Sequence, residues 1–251
     1  MIAEEIVKEP EPTWDLGFLL DTSYPLLKRF REACPGTYKH SQALESMVEG
    51  VSVALDLEVV PMKVIAIYHD IGKMNNPKYF TENQLEDENT HKDLDPWISS
   101  QIITRHVSDS VNILINNKDF PRELIEIISQ HHGTNIVKYF ANKADATKEE
   151  IDTMYRYKNT KPACVKAAVL MLCDQVEATA RSMYQNGKLD PLEVIENTIQ
   201  NLIDDGQLDA VMVRLGDLKR MKIAIAKELE GTFQKRVDYD KIKEEDKNEV
   251  S

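Results

Sequence analysis

The sequence has no excess of positive charge and no long apolar run. Lys and Arg number 31 against 43 Asp and Glu, and the formal net charge of −12 argues against binding a nucleic-acid polymer through its phosphates. The longest uninterrupted apolar run, residues 167–173 (AAVLMLC), is far shorter than the ~20 residues that a membrane-spanning helix requires. The N-terminal stretch MIAEEIVKEPEPTWD lacks the basic start and apolar core of a secretory signal. We therefore expect a cytoplasmic location and no membrane segment in this chain.

Cysteines and strand-forming patterns are also scarce. The three cysteines, Cys34, Cys164 and Cys173, form no CxxC pair, which argues against a disulfide framework and against a thiolate zinc site. Alternating stretches such as residues 211–215 are too short to build a sheet. The sequence therefore predicts an all-α fold, a helical bundle with additional helices toward the C-terminus.

Helical periodicity and helix-start signals support this prediction. One apolar stripe predicts a helix from about Tyr38 to Asp56, and its residues recur at three- and four-residue steps: Leu44, Met47, Val48, Val51 and Leu55. Further helix starts are predicted where a proline precedes an apolar-periodic stretch, at Pro61, Pro96, Pro121 and Pro191. Capping residues are predicted at Asp95 and Asp190, and a capping box at Thr147 with Glu150.

The chain shows no repeat of fixed period and no low-complexity linker, so we expect one domain. Residues 1–16 are predicted to form a flexible N-terminal arm, residues 17–238 the folded domain, and residues 239–251 a polar C-terminal tail.

Histidines stand in unusual settings in this sequence. The pair His69 and Asp70 follows the apolar run VIAIY, and the pair His131 and His132 follows another apolar stretch, each pair being followed closely by a glycine. Two further histidines, His40 and His106, lie within predicted helices. Asp174 follows the apolar run AAVLMLC, where an unpaired carboxylate would cost several kcal/mol.

Taken singly, each of these side chains is more often a hydrogen-bonded core residue or an ordinary surface group than a ligand. Taken together, five imidazoles and two carboxylates at helix ends or on apolar helix faces suit divalent metals with mixed nitrogen and oxygen ligands. The pattern predicts bound iron or manganese in preference to a metal that favours thiolates.

The order His40, His69-Asp70, His106, His131-His132, Asp174 resembles that of the HD-domain metal-dependent phosphohydrolases. Four stretches are similar to the seven-transmembrane HD family, the PgpH-type cyclic di-AMP phosphodiesterases: PGTYKHS, YHDIGKMNNPKYFTENQ, HHGTNIVKYF and LMLCDQVEATARS. The resemblance covers residues 19–239 and implies that residues 17–238 are an HD phosphohydrolase domain. Members of that family usually carry membrane helices before this domain, so the chain is expected to be either an excised cytoplasmic domain or a soluble relative.

The resemblance also implies a two-metal site and a reaction. It places His40, His69, Asp70 and Asp174 on one ion, with Asp70 as the bridge, and His106, His131 and His132 on the second. A water or hydroxide between the metals is then the expected nucleophile, and cyclic di-AMP, a cyclic dinucleotide, would be hydrolysed to the linear dinucleotide pApA.

Three residues outside the ligand set are candidates for catalysis or substrate binding. Lys73, three residues after Asp70, could neutralise developing charge or help the leaving oxygen depart, unless it is a solvated surface lysine. Arg181, two helical turns after Asp174, could bind a substrate phosphate, unless it only pairs with Glu177. His91 lies in a polar loop outside the metal pattern and is a candidate substrate contact.

Other functions remain open from the sequence. A different HD-class nucleotide phosphohydrolase, acting on guanosine tetraphosphate or on dNTPs, commonly needs only the His, His-Asp and Asp set, so the additional histidines argue against it. The cyclic di-GMP branch is disfavoured because its GYP segment is absent. A non-catalytic cyclic-dinucleotide sensor is the third alternative. The sequence does not predict an oligomeric state.

Overall fold

The computed structural model describes residues 15–85, 88–185, 187 and 190–248, and for residues 185 and 233–248 it describes the backbone alone. Within these residues the chain is all-α, as predicted: it contains no β-strand, and one isolated antiparallel bridge joins Ile136 to Arg156. The helices are α1 (Pro25–Ala33), α2 (Pro35–Ala54), α3 (Val59–Tyr68), α4 (Pro96–Ile115), α5 (Arg122–Ser129), α6 (Lys138–Lys143), α7 (Lys148–Met154), α8 (Val165–Gln185), α9 (Pro191–Asp204) and α10 (Leu215–Asn248). Short 3₁₀ helices span Gly17–Leu20, Ile71–Asn75, Pro77–Tyr79 and Thr81–Asn83.

The predicted capping residues are confirmed. The carboxylate of Asp95 accepts from the backbone N–H of Trp97, and Asp190 caps α9 in the same way. Thr147 and Glu150 form the complete capping box at the start of α7. These bonds satisfy N–H groups that have no partner within the helix.

The predicted helix starts are accurate at two of the four prolines and shifted at the others. Pro96 and Pro191 are the first residues of α4 and α9. Helix α3 begins two residues before Pro61, and Pro121 is the residue before α5. Helix α2 likewise starts at Pro35, three residues before the predicted Tyr38, because Pro35 and Gly36 form its first turn.

Helix α2 lies at the centre of the core and packs against α3, α8 and α10. Four members of its predicted stripe, Leu44, Met47, Val48 and Val51, are buried, and full burial of each such side chain contributes about 1.5–3 kcal/mol. Helix α3 is buried over most of its length, as are residues 167–173 of α8. The two most apolar segments of the chain therefore end at the predicted ligands His69-Asp70 and Asp174.

A close backbone approach holds the His69-Asp70 segment against α4. The N–H of Gly72 donates to the hydroxyl of Ser110 at 2.8 Å. A Cβ atom on Gly72 would overlap the carbonyl oxygen of His106 and the backbone nitrogen of Ser110. The absence of a side chain at this position therefore lets Asp70 and His106 lie close together.

The domain boundaries predicted from the sequence stay predictions. Residues 1–14 of the predicted arm lie outside the described residues, and the backbone of α10 continues beyond residue 238 to Asn248. Among the described helices, none combines the length and the apolar character needed to cross a bilayer.

We expect Gly72→Ala to lower the free energy of unfolding by about 1–3 kcal/mol, because the new methyl group overlaps α4 backbone atoms that cannot move independently. Urea unfolding of the wild type and the variant measures the difference. Gly231→Ala is the matched control, since its Cβ would meet no atom within 4 Å. It should be neutral or slightly stabilising, as expected for alanine in a helix interior. Equal unfolding free energies for Gly72→Ala and the wild type would contradict the close approach.

Candidate metal centre

All of the predicted metal ligands lie together at one place in the fold. They form two groups, Asp70 with His106, His131 and His132, and His40 with His69 and Asp174. Within each group, the candidate ligand atoms lie within 4.8 Å of one another. Separate helices bring them there: α2 carries His40, α4 carries His106, α8 carries Asp174, and the other four side chains follow the ends of α3 and α5.

The two oxygens of Asp70 face different groups. Oδ2 lies 3.2 Å from Nε2 of His69, whereas Oδ1 lies 3.0 Å from Nε2 of His106 and 3.8 Å from Nε2 of His131. This is the arrangement that a carboxylate bridging two ions requires. Its position agrees with the bridging role that the resemblance implied for Asp70.

Asp174 also contacts both groups. Its Oδ1 lies 3.0 Å from Nε2 of His40 and 3.7 Å from Nε2 of His69, and its Oδ2 lies 3.8 Å from Nδ1 of His132. The sequence interpretation placed Asp174 on the first ion alone. In the structure, its second oxygen is directed toward the second group as well.

Backbone hydrogen bonds fix the orientation of three of the imidazoles. The Nδ1 atoms of His69, His106 and His131 lie 2.8, 2.6 and 2.6 Å from the carbonyl oxygens three residues earlier. A carbonyl oxygen only accepts, so each Nδ1 carries a proton, and Nε2 is the atom whose lone pair can bind a metal when the ring is neutral. Such a bond to the other ring nitrogen is typical of histidines that bind metals.

These donors fit a bound cation. The Nε2 atoms of His106 and His131 lie 3.3 Å apart, and two lone pairs at this distance repel each other unless a proton or a cation lies between them. Nε2 of His69 and Oδ1 of Asp70 are buried without a hydrogen-bond partner. Nitrogen and oxygen donors in this proportion suit divalent iron or manganese.

The electrostatics of the centre also favour a cation. Burial disfavours a charged His69, but Asp70 and Asp174 outweigh it and raise the pKa of His69 to about 10. Burial lowers the pKa of His131 to about 3, and burial and His131 hold the pKa of His132 well below its usual range. The centre thus attracts positive charge, whether a proton on His69 or a bound cation, while His131 and His132 stay neutral.

Glu177 orients His40 from the side away from the centre. Its Oε2 lies 2.5 Å from Nδ1 of His40, while Nε2 of His40 faces Asp174. Sequence reasoning considered Glu177 only as a partner of Arg181. Its spacing from Asp174, one helical turn along α8, was the available signal for this orienting role.

Lys73 lies inside the site and is not a solvated surface lysine. Its Nζ is 2.8 Å from Oδ2 of Asp70 and 2.8 Å from Oε1 of Glu82. Burial opposes the charge on Lys73, but these two carboxylates raise its pKa above the ordinary value. Burial also opposes ionisation of Glu82, yet Lys73 lowers the pKa of Glu82 to about 2. Glu82 was not predicted, because nothing in its local sequence indicates this partner.

The other two candidate substrate residues, Arg181 and His91, differ in position. Arg181 lines the cavity beside the metal ligands, where it could bind a substrate phosphate. It also lies 3.6 Å from Oε2 of Glu177, the alternative partner that the sequence suggested. His91 is not brought to the centre. Its Nε2 donates to the carbonyl oxygen of Tyr79 at 2.8 Å, and its ring packs against Phe140.

Three cavities that share lining residues lie at the ligands or beside them. The central one, of about 510 Å³, is lined by Asp70, Lys73 and Arg181 among others. A larger one of about 820 Å³ shares His132 and Tyr157 with it. A third, of about 500 Å³, is lined mainly by apolar groups and shares Phe80 with the central cavity.

Comparisons with known proteins agree with this geometry. The family model described as HD domain matches residues 37–179. The cyclic-di-AMP phosphodiesterases PgpH of Bacillus subtilis and Listeria monocytogenes are each 34% identical to this chain over 222 residues, covering 88% of this chain and 31% of each relative. The chain therefore spans about a third of the length of these relatives.

Two solved structures are similar over most of the chain. The crystal structure of the L. monocytogenes PgpH HD domain matches with a TM-score of 0.76 and 34% identity, covering 84% of this chain and 99% of that one. The same domain in complex with cyclic-di-AMP matches with a TM-score of 0.76 and 33% identity, covering 83% of this chain and 97% of that one.

We expect Asp70→Ala to remove most of the bound metal, because each ligand group loses a carboxylate oxygen and the bound cation loses a nearby negative charge. His106→Ala should remove only part of the bound metal, because His106 belongs to one ligand group alone. Elemental analysis of the purified variants measures both effects, with circular dichroism as the control for folding. Full metal content in folded Asp70→Ala protein would contradict the assignment.

We expect Glu177→Gln to weaken metal binding by roughly 10–100-fold. The neutral amide holds the His40 ring less strongly than the carboxylate does, and the substitution removes the negative charge beside Nδ1 of His40. Competition with a chelator of known affinity gives the change. Glu149→Gln on the exposed surface of α7 is the control. The orienting role would be refuted by equal chelator resistance in Glu177→Gln and the wild type.

Proposed function

This chain belongs to the HD-domain family, and from that premise we propose that it is a metal-dependent phosphodiesterase that hydrolyses cyclic di-AMP to pApA. The observation that carries the proposal is the division of the Asp70 oxygens between two ligand groups. Relatives named as cyclic-di-AMP phosphodiesterases, with the same domain, supply the substrate.

The proposed cofactor is a pair of divalent ions, iron or manganese. Asp70, with one oxygen toward each group, and Asp174, with contacts to both, would hold the pair, and the histidines of the two groups would complete the ligand sets. When bound, the two ions would lower the pKa of the attacking water and neutralise charge on the phosphodiester oxygens.

Lys73 is proposed to act as a fixed positive charge. An ammonium group has three N–H donors, and Asp70 and Glu82 accept two of them, which leaves one for a substrate oxygen in the central cavity. The raised pKa of Lys73 makes it a poor proton donor to the leaving oxygen. Its contribution is therefore to hold the Asp70 carboxylate in place and to stabilise negative charge in the transition state.

The surrounding space supports a dinucleotide substrate. A scissile phosphodiester in the central cavity joins two nucleosides, and cavities of about 820 and 500 Å³ adjoin that cavity at different residues. His91 lines the smaller of these two, so a contact with one nucleoside remains part of the proposal, although its Nε2–H is already bonded to Tyr79.

A cytoplasmic location belongs to the same proposal. The cysteines Cys34, Cys164 and Cys173 are all free, two of them buried, which is typical of a reducing compartment.

We expect protein loaded with manganese or iron to contain two ions per chain and to convert cyclic di-AMP to pApA, because the two ligand groups can activate a water beside a phosphodiester. Anion-exchange chromatography of reactions with cyclic di-AMP, cyclic di-GMP, guanosine tetraphosphate and dNTPs measures the conversion. Asp70→Ala protein is the control for contaminating activity.

The other outcomes separate the alternatives. Turnover of guanosine tetraphosphate or dNTPs with cyclic di-AMP left intact would support a different HD-class hydrolase. Binding of cyclic di-AMP by metal-replete protein without any turnover would support a sensor. Either result would refute the proposed phosphodiesterase.

A further inference from the structure

A fourth, smaller cavity adjoins the metal ligands at the start of α2. Its volume is about 340 Å³, and it shares His40, Thr81, Glu82 and Arg181 with the central cavity. Gly36 and Lys39 of α2 and Glu177 of α8 complete its lining. We call it the α2 cavity. None of the functions assigned above uses it or uses Lys39.

The two carboxylates in the α2 cavity are already engaged by other protein groups. Glu82 lies 2.8 Å from Nζ of Lys73, and its second contact is with the Thr37 hydroxyl, which donates to it at 3.1 Å. Glu177 lies 2.5 Å from Nδ1 of His40. Both acidic side chains are therefore directed at partners on the protein.

The two cations in the α2 cavity are, in contrast, largely uncommitted. The nearest approach of Arg181 to a carboxylate is 3.6 Å, beyond hydrogen-bond distance, and a guanidinium carries five N–H donors. Lys39 is exposed, and among the described residues no carboxylate pairs with it. In a chain of net charge −12, this cavity therefore presents donors and positive charge beside the metal ligands.

We propose that the α2 cavity binds the second phosphate of a cyclic dinucleotide, the one that is not cleaved, through Lys39 and Arg181. This inference rests on the proposed function. A cyclic dinucleotide holds two phosphodiesters in one small ring, so a site for the second must adjoin the site of the first. Arg181 lines both cavities, and its planar guanidinium suits an anion that has two free oxygens.

The α2 cavity would thus select among phosphodiesters. A substrate with one phosphate uses only the central cavity, whereas a cyclic dinucleotide also enters the α2 cavity and gains a contact with Lys39. Both Lys39 and Arg181 are positively charged, so they also favour the encounter of this acidic chain with a dianion. Lys39 is a specificity-determining residue in this proposal; it precedes His40 in the sequence but belongs to neither ligand group.

The test compares two substrates with the metal-loaded protein. Cyclic di-AMP has two phosphates, and bis(p-nitrophenyl) phosphate has one. For Lys39→Gln, the ratio of kcat/KM for cyclic di-AMP to kcat/KM for the single-phosphate ester should fall about tenfold, with the loss mainly in KM, because a charge-assisted contact disappears for one substrate alone. Lys39→Glu should lower the ratio further.

Two additional variants complete the experiment. Lys28→Gln, on the exposed side of α1, removes the same charge away from the described cavities and should leave the ratio unchanged. Arg181→Gln should lower kcat/KM for cyclic di-AMP and Arg181→Lys should restore it in part, because a point charge replaces only some of the guanidinium contacts. Metal content is measured for each variant, since Arg181 lies near Glu177.

The outcomes distinguish this inference from the proposed function. If the wild type cleaves both substrates and Lys39→Gln keeps the wild-type ratio, the second-phosphate site is refuted and the phosphodiesterase stands. If the wild type cleaves the single-phosphate ester but not cyclic di-AMP, the proposed function fails and the second-phosphate site fails with it.

Discussion

The structure around the site depends on the burial of one carboxylate. Asp70 is 2% exposed, and a carboxylate removed from water is destabilising by several kcal/mol unless positive charge and hydrogen-bond donors surround it. Lys73, His69 and His106 all lie within 3.2 Å of its oxygens and hold its pKa well below the usual range against the effect of burial. The helices that bring these groups together each bury an apolar face. The packing that forms the hydrophobic core therefore also assembles the polar centre.

The imidazoles are oriented by the protein backbone to a large extent. In His69, His106 and His131 the carbonyl oxygen three residues earlier accepts the Nδ1 proton, so the local helical turn alone sets the direction of each ring. His40 differs from these three, because Glu177 on a different helix takes that role. Three ligands are thus fixed by local structure and one by tertiary contact.

This difference also explains how much the sequence could predict. Helix caps such as Asp95 and the paired histidines follow from local patterns, and the structure places His69-Asp70 and His131-His132 where those patterns end. The bonds of Glu177 to His40 and of Glu82 to Thr37 join residues 137 and 45 positions apart. Only the packing of α8 and of the Thr81–Asn83 turn against α2 creates them. His91 shows the converse, because a polar loop around it did not reveal that Tyr79 and Phe140 would enclose its ring.

The backbone bonds of the three histidines have a consequence for metal choice. Rings held by their own helical turns keep their geometry whichever ion arrives, so divalent ions of similar size and coordination preference meet the same ligand atoms. For nitrogen and oxygen ligands, intrinsic affinity rises from manganese through iron toward copper regardless of the protein. Which ion fills a centre of this kind is then decided by cellular metal supply, and the chemical identity of the resident ion becomes a property of the cell as much as of the sequence.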